Sequence, residues 1–549
     1  MRVSRRASAA AAVAALALVA AGCSGGDDNS EDTGSDKNAN AAITINGTEP
    51  EVPLVPANTT ETGGGKVVDY LWSGLTQYDN NTGESSNLLA ESIETTDSKV
   101  YTIKIKKDTK FHDGTVVKAK NFVDAWNWAA YTPNGAQGAS FFAEIQGYAD
   151  VTSTDPDDDG PQKAPEPKAK TMSGLAVVDD WTFTVTLAEP FAVWPVKLGY
   201  SAFVPMPDSF FAAADKNEWG KKPVGNGPVK FVSWTNDVEI NLTRNDDYTL
   251  SDKVKIKDVK VKLYQSDDSA YNDLLANNLD FMQQIPVTAL AGDKWKSDLG
   301  ERAISKATPV TQIIAFPLYD KRFQNPDLRK AVSLAINRQE IAEKIFFNSR
   351  KPATTWSNPL APGNGANDCS ICTFNEAQAK ELLAKAGGFQ GQMIFYYNAD
   401  ASHQAWMEAV ANSVKNVLGI DAVAKGIPTF AALRERINAH KMDGPYRAAW
   451  QQDYPDVENW LRPLYETGGS SNDGGYTNPQ VDALLKEGAS APNVDAAHAK
   501  FAEATKLIDA DAPSMPIVTV EEQSGYSTKL KSVETTNVGE LDLSKVEIA

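Results

Sequence analysis

Apolar and polar positions alternate along this chain with two different periods, and the places where one period gives way to the other outline its elements. Tyr101-Thr-Ile-Lys-Ile-Lys alternates strictly, which predicts a half-buried strand. Phe111-His112-Asp113-Gly114-Thr115 follows, with the Asp-Gly that tight turns need. Phe122, Trp126 and Ala129 or Ala130 then share one face of a helix over residues 117–131. Residues 177–187 read as a hairpin turning at Asp179-Asp180. Pro190, Pro195, Pro205 and Pro207 break up the next stretch, as at a crossing between domains. Gly225-Asn226-Gly227-Pro228 makes a turn before alternating strands at 238–242 and 254–263, and a short helix at 271–276 sits behind Ser266 and Asp267 as caps. Leu328, Val332, Ala335 and Ile336, three to four apart, predict one long helix over 325–347. The segment 375–385 opens with an Asn-x-x-Gln capping pattern and stops at Gly387-Gly388. A strand at 393–397 and helices at 403–417 and 429–439 follow. Nearer the start, residues 42–45 open the ordered part, and 67–78 is an apolar run, helix or buried strand. Strands alternating with helices predict α/β lobes built on mixed sheets, and at 549 residues several domains.

The first residues follow neither period. Met1–Arg6 is positively charged, and residues 9–21 are a short apolar stretch of Ala, Val and Leu ending Val19-Ala20-Ala21-Gly22-Cys23. That stretch is too short to span a bilayer as a mature helix and predicts a secretory signal over 1–22. Its end resembles a bacterial lipobox, with Ala20 where Leu is usual, and makes Cys23 the expected lipidation site; the competing expectation is plain cleavage with a free cysteine. Arg5-Arg6 leaves both general and twin-arginine export open. Residues 24–41 hold no aromatic residue and no aliphatic one larger than Ala, so 23–41 is expected to be a lipidated, disordered tether spanning roughly 23 Å as a coil.

Charge narrows the function classes. The net charge is −19, and −22 without the three arginines of residues 1–22, which does not suit nucleic acid or an anionic membrane surface. Three cysteines and four scattered histidines leave little for a metal cluster. Residues 155–166 match the spacing of a calcium loop, but prolines at 156, 161 and 165 favour an acidic surface loop. Cys369-Ser-Ile-Cys372 reads as a structural disulfide in an exported protein, without redox chemistry or zinc. GxSxG, HExxH and Walker motifs are absent, which favours a binding module over an enzyme and implies no cofactor.

One stretch stands out chemically. In 445–460, Asp453 lies between Trp450 and Tyr454-Pro455, and Pro455 biases Tyr454 toward an extended turn. A carboxylate on a stiff turn among aromatic rings suits a small cation such as an amine. The same Asp also suits a cap for a helix carrying Val457 and Trp460.

Several stretches together resemble the extracytoplasmic solute-binding proteins of peptide ABC importers, the oligopeptide- and dipeptide-binding family. They are Phe111-His-Asp-Gly-Thr with Asn121-Phe-Val-Asp-Ala-Trp, Pro223-Val-Gly-Asn-Gly-Pro with Arg244-Asn245 and Tyr248, Asn325-Pro-Asp-Leu-Arg-Lys-Ala-Val with Ala335-Ile-Asn-Arg338, and Trp450-Gln-Gln-Asp-Tyr-Pro-Asp with Asn478-Pro-Gln-Val-Asp482, in family order over nearly the whole mature chain. The resemblance implies a two-lobed, hinge-closing, periplasmic-binding-protein-like α/β fold with an extra domain: lobe I from 42–80, 196–307 and 516–549, extra domain II at 81–195, and lobe III at 308–515. It implies that Asp453 takes a peptide's α-ammonium, that Arg447 and Arg434 grip its C-terminal carboxylate, that His403 reads longer peptides, and that Trp450 and Tyr454 wall the pocket. Gly426-Ile427-Pro428 departs from the aromatic many relatives carry beside the ligand. The implied partners are a short peptide, the permease and ATPase subunits of a transporter, and the membrane through the lipid, with the protein a monomer on the outer face of the cytoplasmic membrane. The family also holds nickel, sugar and antibiotic binders, so a non-peptide solute is the nearest alternative, and a secreted hydrolase with an unrecognised acid pair is the rival from another class.

Overall fold

The computed structural model describes residues 38–153, 163–365, 368–399, 403–428 and 430–549. Cys23, the signal and most of the tether lie outside the described residues, as does most of the acidic loop; its last member, Glu166, accepts a hydrogen bond from the Tyr131 hydroxyl at 2.7 Å.

Helices pack around one eleven-stranded mixed sheet and a separate four-stranded one. Two strands of 13 residues each, Ala303–Ala315 and Ser514–Tyr526, run antiparallel through the middle of the large sheet. On one side of them lie Tyr446–Gln451 and the parallel pair Met393–Asn398 and Ala422–Ile427. On the other lie Phe281–Met282, Ala42–Gly47, Asp258–Leu263, Glu239–Arg244 and Val229–Thr235. Pairing between the two long strands is interrupted between Ala307 and Thr311, so the sheet is continuous at both ends of these strands and broken midway. The four-stranded antiparallel sheet is Ala90–Glu94, Val100–Ile105, Thr182–Thr186 and Leu175–Asp179. The helix Ala119–Ala130 packs on it through Phe122 and Trp126, which meet Phe183 at ring distances of 5.6 Å. Aromatic pairs of this kind are worth about 0.5–1.5 kcal/mol beyond their buried area.

The strongly alternating strands and this helix form where the pattern predicts. Four expectations are corrected. The run 67–78 is the end of a helix, Thr62–Leu71, followed by the strand Thr76–Tyr78; Glu61 starts the helix early by accepting the N–H groups of Gly63 and Gly64. The predicted helix over 325–347 is two, Pro326–Leu334 and Arg338–Lys344. Asn337 caps the second by accepting Glu340 N–H at 3.1 Å. The fully buried Arg338 turns back to donate to the Ser333 carbonyl, at the end of the first helix, at 2.9 Å and across to the Pro516 carbonyl of the long strand Ser514–Tyr526 at 2.8 Å. The strand expected over 254–263 is Asp258–Leu263, and Val229–Thr235, straight after Pro228, is a strand that was not expected. The short helix begins at Asp267 rather than 271, and Ser266, its N-cap, makes no side-chain cap bond.

Two glycine-bearing motifs, far apart in sequence, close on each other. A Cβ on Gly225 would lie 2.0 Å from the Leu71 carbonyl oxygen and one on Gly227 2.5 Å from the Leu71 carbonyl carbon, so only glycine lets this loop approach the end of the helix. Asn226 then brackets Ser73, accepting its N–H at 3.1 Å and donating to its carbonyl at 3.0 Å. His112 completes the knot: Gly225 N–H donates to Nδ1 at 3.2 Å, and Nε2 lies 3.1 Å from the Gly227 carbonyl. Burial lowers this imidazole to about 4, so it is neutral and structural. The knot fixes Trp72 and Ser73, which line the principal cavity.

Candidate functional site

That cavity encloses about 920 Å³ between the helix Thr62–Leu71 and its following strand, residues around Tyr200, the segment 534–545 and the turn 451–455. The turn is set by the strand Tyr446–Gln451, which ends immediately before Gln452. Pro455 seats against Gly83, whose φ of 73° belongs to the neighbouring turn and where a Cβ would lie 3.0 Å from the proline. Asp453 is half-buried. Its N–H donates to Asn459 Oδ1 at 2.8 Å, and Asn459 Nδ2 donates to its carboxylate at 3.1 Å. Asn459 thus orients the carboxylate. Asp453 does not cap the following helix, Glu458–Tyr465, whose N-cap is Val457 without a side-chain cap bond; Asp456, one residue earlier, accepts Glu458 N–H at 2.9 Å. Burial raises the Asp453 carboxyl above its usual range; the Asn459 hydrogen bond and the charge of Lys197 offset part of this. Lys197 is itself paired with Glu144 at 2.8 Å. Among the described residues Asp453 has no ion pair, so its charge is turned toward the cavity without a fixed counter-ion.

Asp456 is buried and meets His498 Nε2 at 2.8 Å. Gly363, at φ 80°, leaves room for that ring, because a Cβ there would stand 2.5 Å from it. Tyr454 also lines the cavity, but its hydroxyl donates to buried Glu458 and Lys197 stands 5.6 Å above its ring. Its phenol therefore locks the turn from behind.

The other sequence-predicted residues lie in different places. Arg434, Arg447 and Trp450 line a smaller cavity of about 130 Å³. There Asp473 takes the Arg434 guanidinium at 2.6 and 3.2 Å. Arg447 stands 5.9 Å over the Phe430 ring. The Trp450 indole N–H is buried with no hydrogen-bond partner among the described residues. His403 begins the helix Gln404–Leu418 and accepts the Trp406 indole N–H at 3.2 Å, in a third cavity of about 330 Å³. The structure therefore brings Asp453 and Tyr454 together, and Arg434, Arg447 and Trp450 together, and leaves His403 apart. Sequence reasoning missed Asn459, Asp473 and the cavity acids Asp69 and Glu540. Asp69 had a faint signal, since Thr62, Gly65 and Asp69 fall three and four apart on the less buried side of their helix.

A cavity of about 920 Å³ is of the size that holds a small solute. The family model of bacterial extracellular solute-binding proteins, family 5, matches residues 84–472, and the chain belongs to that family. It is 25% identical over 529 residues to the oligopeptide-binding protein OppA of Bacillus subtilis, covering 92% of each chain. It is 26% identical over 493 residues to the probable deoxycholate-binding periplasmic protein YgiS of Escherichia coli, covering 84% of this chain and 85% of that one. Among solved structures, the unliganded open form of the periplasmic murein tripeptide binding protein MppA superposes with a TM-score of 0.75 at 21% identity, over 93% of this chain and 97% of that one. OppA of Haemophilus influenzae, in complex with the peptide RPPGFSPFR, does so with a TM-score of 0.72 at 21% identity, over 93% and 99%.

Proposed function

We propose that this chain captures short peptides in the Asp453 cavity and delivers them to the permease and ATPase subunits of an ABC importer. The observation that carries it is the Asp453 carboxylate: buried enough to strengthen a charge contact, held in place by Asn459, and without an ion pair among the described residues. A peptide α-ammonium supplies the missing charge. Arg447 and Arg434 are the corresponding candidates for the C-terminal carboxylate, with Trp450 as pocket wall and His403 as a contact of longer peptides. In this scheme residues 42–80, 196–307 and 516–549 form one lobe, 308–515 the other, and 81–195 the extra domain. Closure bends the two long strands where their pairing breaks, between Ala307 and Thr311, and draws the arginines toward Asp453. The solute leaves unchanged, so the protein is a carrier and not an enzyme. It works as a monomer, exported by its signal and tied through lipid on Cys23 to the outer face of the membrane, with no nucleic acid partner. The Cys369 and Cys372 sulfurs, 2.06 Å apart, support a disulfide that pins the loop before the helix Glu376–Lys385.

A non-peptide solute is the second reading, favoured by the likeness to a protein named for deoxycholate. The acids on the cavity wall disfavour that anion. Native mass spectrometry of the purified body, followed by denaturation, separates the two. A ladder of short peptides, one per chain, supports peptide capture; a single non-peptide mass overturns it and removes Asp453 as an ammonium anchor.

A further inference from the structure

The long strand Ala303–Ala315 contains Pro309, which has no N–H to give to a ladder. Pairing with Ser514–Tyr526 lapses there: Ala307 faces Glu521 and Thr311 faces Thr519, so Thr308, Pro309 and Val310 together stand against Val520. Such a bulge bends its strand and leaves backbone groups to find partners elsewhere. One side chain from outside the sheet reaches them. Asn358 is buried, and its Nδ2 donates toward the Thr308 carbonyl at 3.2 Å, the Val310 carbonyl at 3.3 Å and the Thr311 hydroxyl at 3.3 Å. Two N–H protons thus serve three acceptors, all at or just beyond the long end of the usual range. The Asn358 Oδ1 accepts the Leu360 N–H at 3.0 Å, so the amide stays fixed to its own loop while its donors face the bulge. The Thr308 hydroxyl donates to the Val520 carbonyl at 3.2 Å, a side-chain tie across the gap.

The bulge also meets the Asp453 turn. The Gln452 N–H, next to Asp453, donates to the Pro309 carbonyl at 3.2 Å. The loop that carries Asn358 holds the far end of the same turn, since the Val457 N–H donates to the Pro362 carbonyl at 2.9 Å. A cavity of about 150 Å³, lined in part by Ala307, Pro309, Leu360 and Gln452, adjoins bulge, loop and turn. On that side the bulge does not border close-packed side chains, so it can shift without displacing a core.

We propose that Asn358 is a positioning residue for lobe closure. As the strand bends, its two protons redistribute over the three acceptors, and the amide keeps its bonds in the open and the closed form. The Gln452–Pro309 hydrogen bond ties that bend to capture of an ammonium by Asp453. A bulge without these donors leaves buried carbonyls unpaired, at the greatest cost when closure shuts out water. The coupling rests on peptide capture and on closure at the strand break, both proposed above.

Asn358→Asp tests it, because that change keeps the acceptor for Leu360 and removes both donors; Asn358→Ala serves if that variant does not fold. The probe is the tightest binder in a library of two- to five-residue peptides with free termini. Small-angle scattering reads closure and stopped-flow fluorescence reads the rates. The wild type is expected to contract when saturated with peptide, and the variant to contract less than half as much. The variant's affinity is expected to fall at least tenfold, carried by koff, with kon within threefold of wild type. In the wild type alone, peptide is expected to change the hydrogen-exchange rate of the Leu360 amide at least threefold, although Leu360 does not line the Asp453 cavity. A folded variant with wild-type contraction and koff, a loss carried by kon, a wild type that binds peptide without contracting, or an unchanged Leu360 rate overturns the coupling and leaves peptide capture standing. Binding of no library peptide by the wild type removes peptide capture, and the coupling with it.

Discussion

Asp453 and Arg434 both fall within the stretch that the family model matches, yet the molecule treats their charges in opposite ways. Asp453 opens on a 920 Å³ cavity with an uncharged amide, Asn459, as its side-chain partner. Arg434 lies in a 130 Å³ cavity with its guanidinium already gripped by Asp473. A charge held by a neutral partner keeps its attraction for a ligand, whereas a charge already paired must trade one partner for another and gains little net. In the proposed peptide complex the difference would make Asp453 the primary anchor and give Arg434 a weaker, competitive role.

The largest test of this contrast is Asp453→Ala, which leaves a bound ammonium buried and unpaired. It is expected to weaken peptide binding by about 2–4 kcal/mol, measured by calorimetry. Arg447→Ala comes next, at about 1.5 kcal/mol for a charge-assisted hydrogen bond, and should be felt by free-acid peptides and not by C-terminal amides. Asp473→Asn has the smallest and opposite effect. It releases Arg434 and should tighten binding of free-acid peptides by less than about 1 kcal/mol, the scale of partly exposed ion pairs. A loss as large as that at Asp453 would mean that Asp473 builds the site rather than competing within it.

The turn that carries Asp453 also has a pH signature. At His498, burial lowers the imidazole and the hydrogen bond and charge of Asp456 more than reverse it, so the folded value lies above the ordinary 6.5. A raised histidine contributes stability that is complete below its unfolded value and is lost as pH rises through the folded one. Burial likewise raises the Asp456 carboxyl, which acts in the same direction. Thermal melts are therefore expected to show stability falling as pH rises above about 6.5, and His498→Asn should flatten that fall. Ligand affinity follows the opposite course on the acid side. It should drop as pH falls through the raised Asp453 value, because the protonated carboxyl no longer attracts an ammonium.

The parts of the fold legible in the sequence were those whose pattern is local. Val100–Ile105 and Thr182–Thr186 alternate between buried and open faces, and their sheet follows. The long strand Ser514–Tyr526 is buried on both faces for most of its length and shows no alternation, so it could not be told from other apolar sequence. The break at Asn337 was hidden because Asn is tolerated within helices, and the carbonyl that Arg338 meets there, Pro516, lies 178 residues away in sequence. Phe111–Thr115 and Gly225–Pro228 each announced a turn, but not that they bind each other through His112. At the site, Asp453 was legible because Trp450, Tyr454 and Pro455 surround it. Asp69 left only the faint trace of its helix spacing, since a single acid on a helix face normally meets water and the sequence does not show that this face lines a cavity.

Calorimetry of one short peptide, with its amino terminus free or acetylated, against the wild-type protein and Asp453→Asn tests the ammonium anchor most directly. Acetylation is predicted to cost the wild type at least about 2 kcal/mol and to cost Asp453→Asn almost nothing, because the two changes remove the same contact. Equal penalties in both proteins would contradict it and place the amino terminus elsewhere.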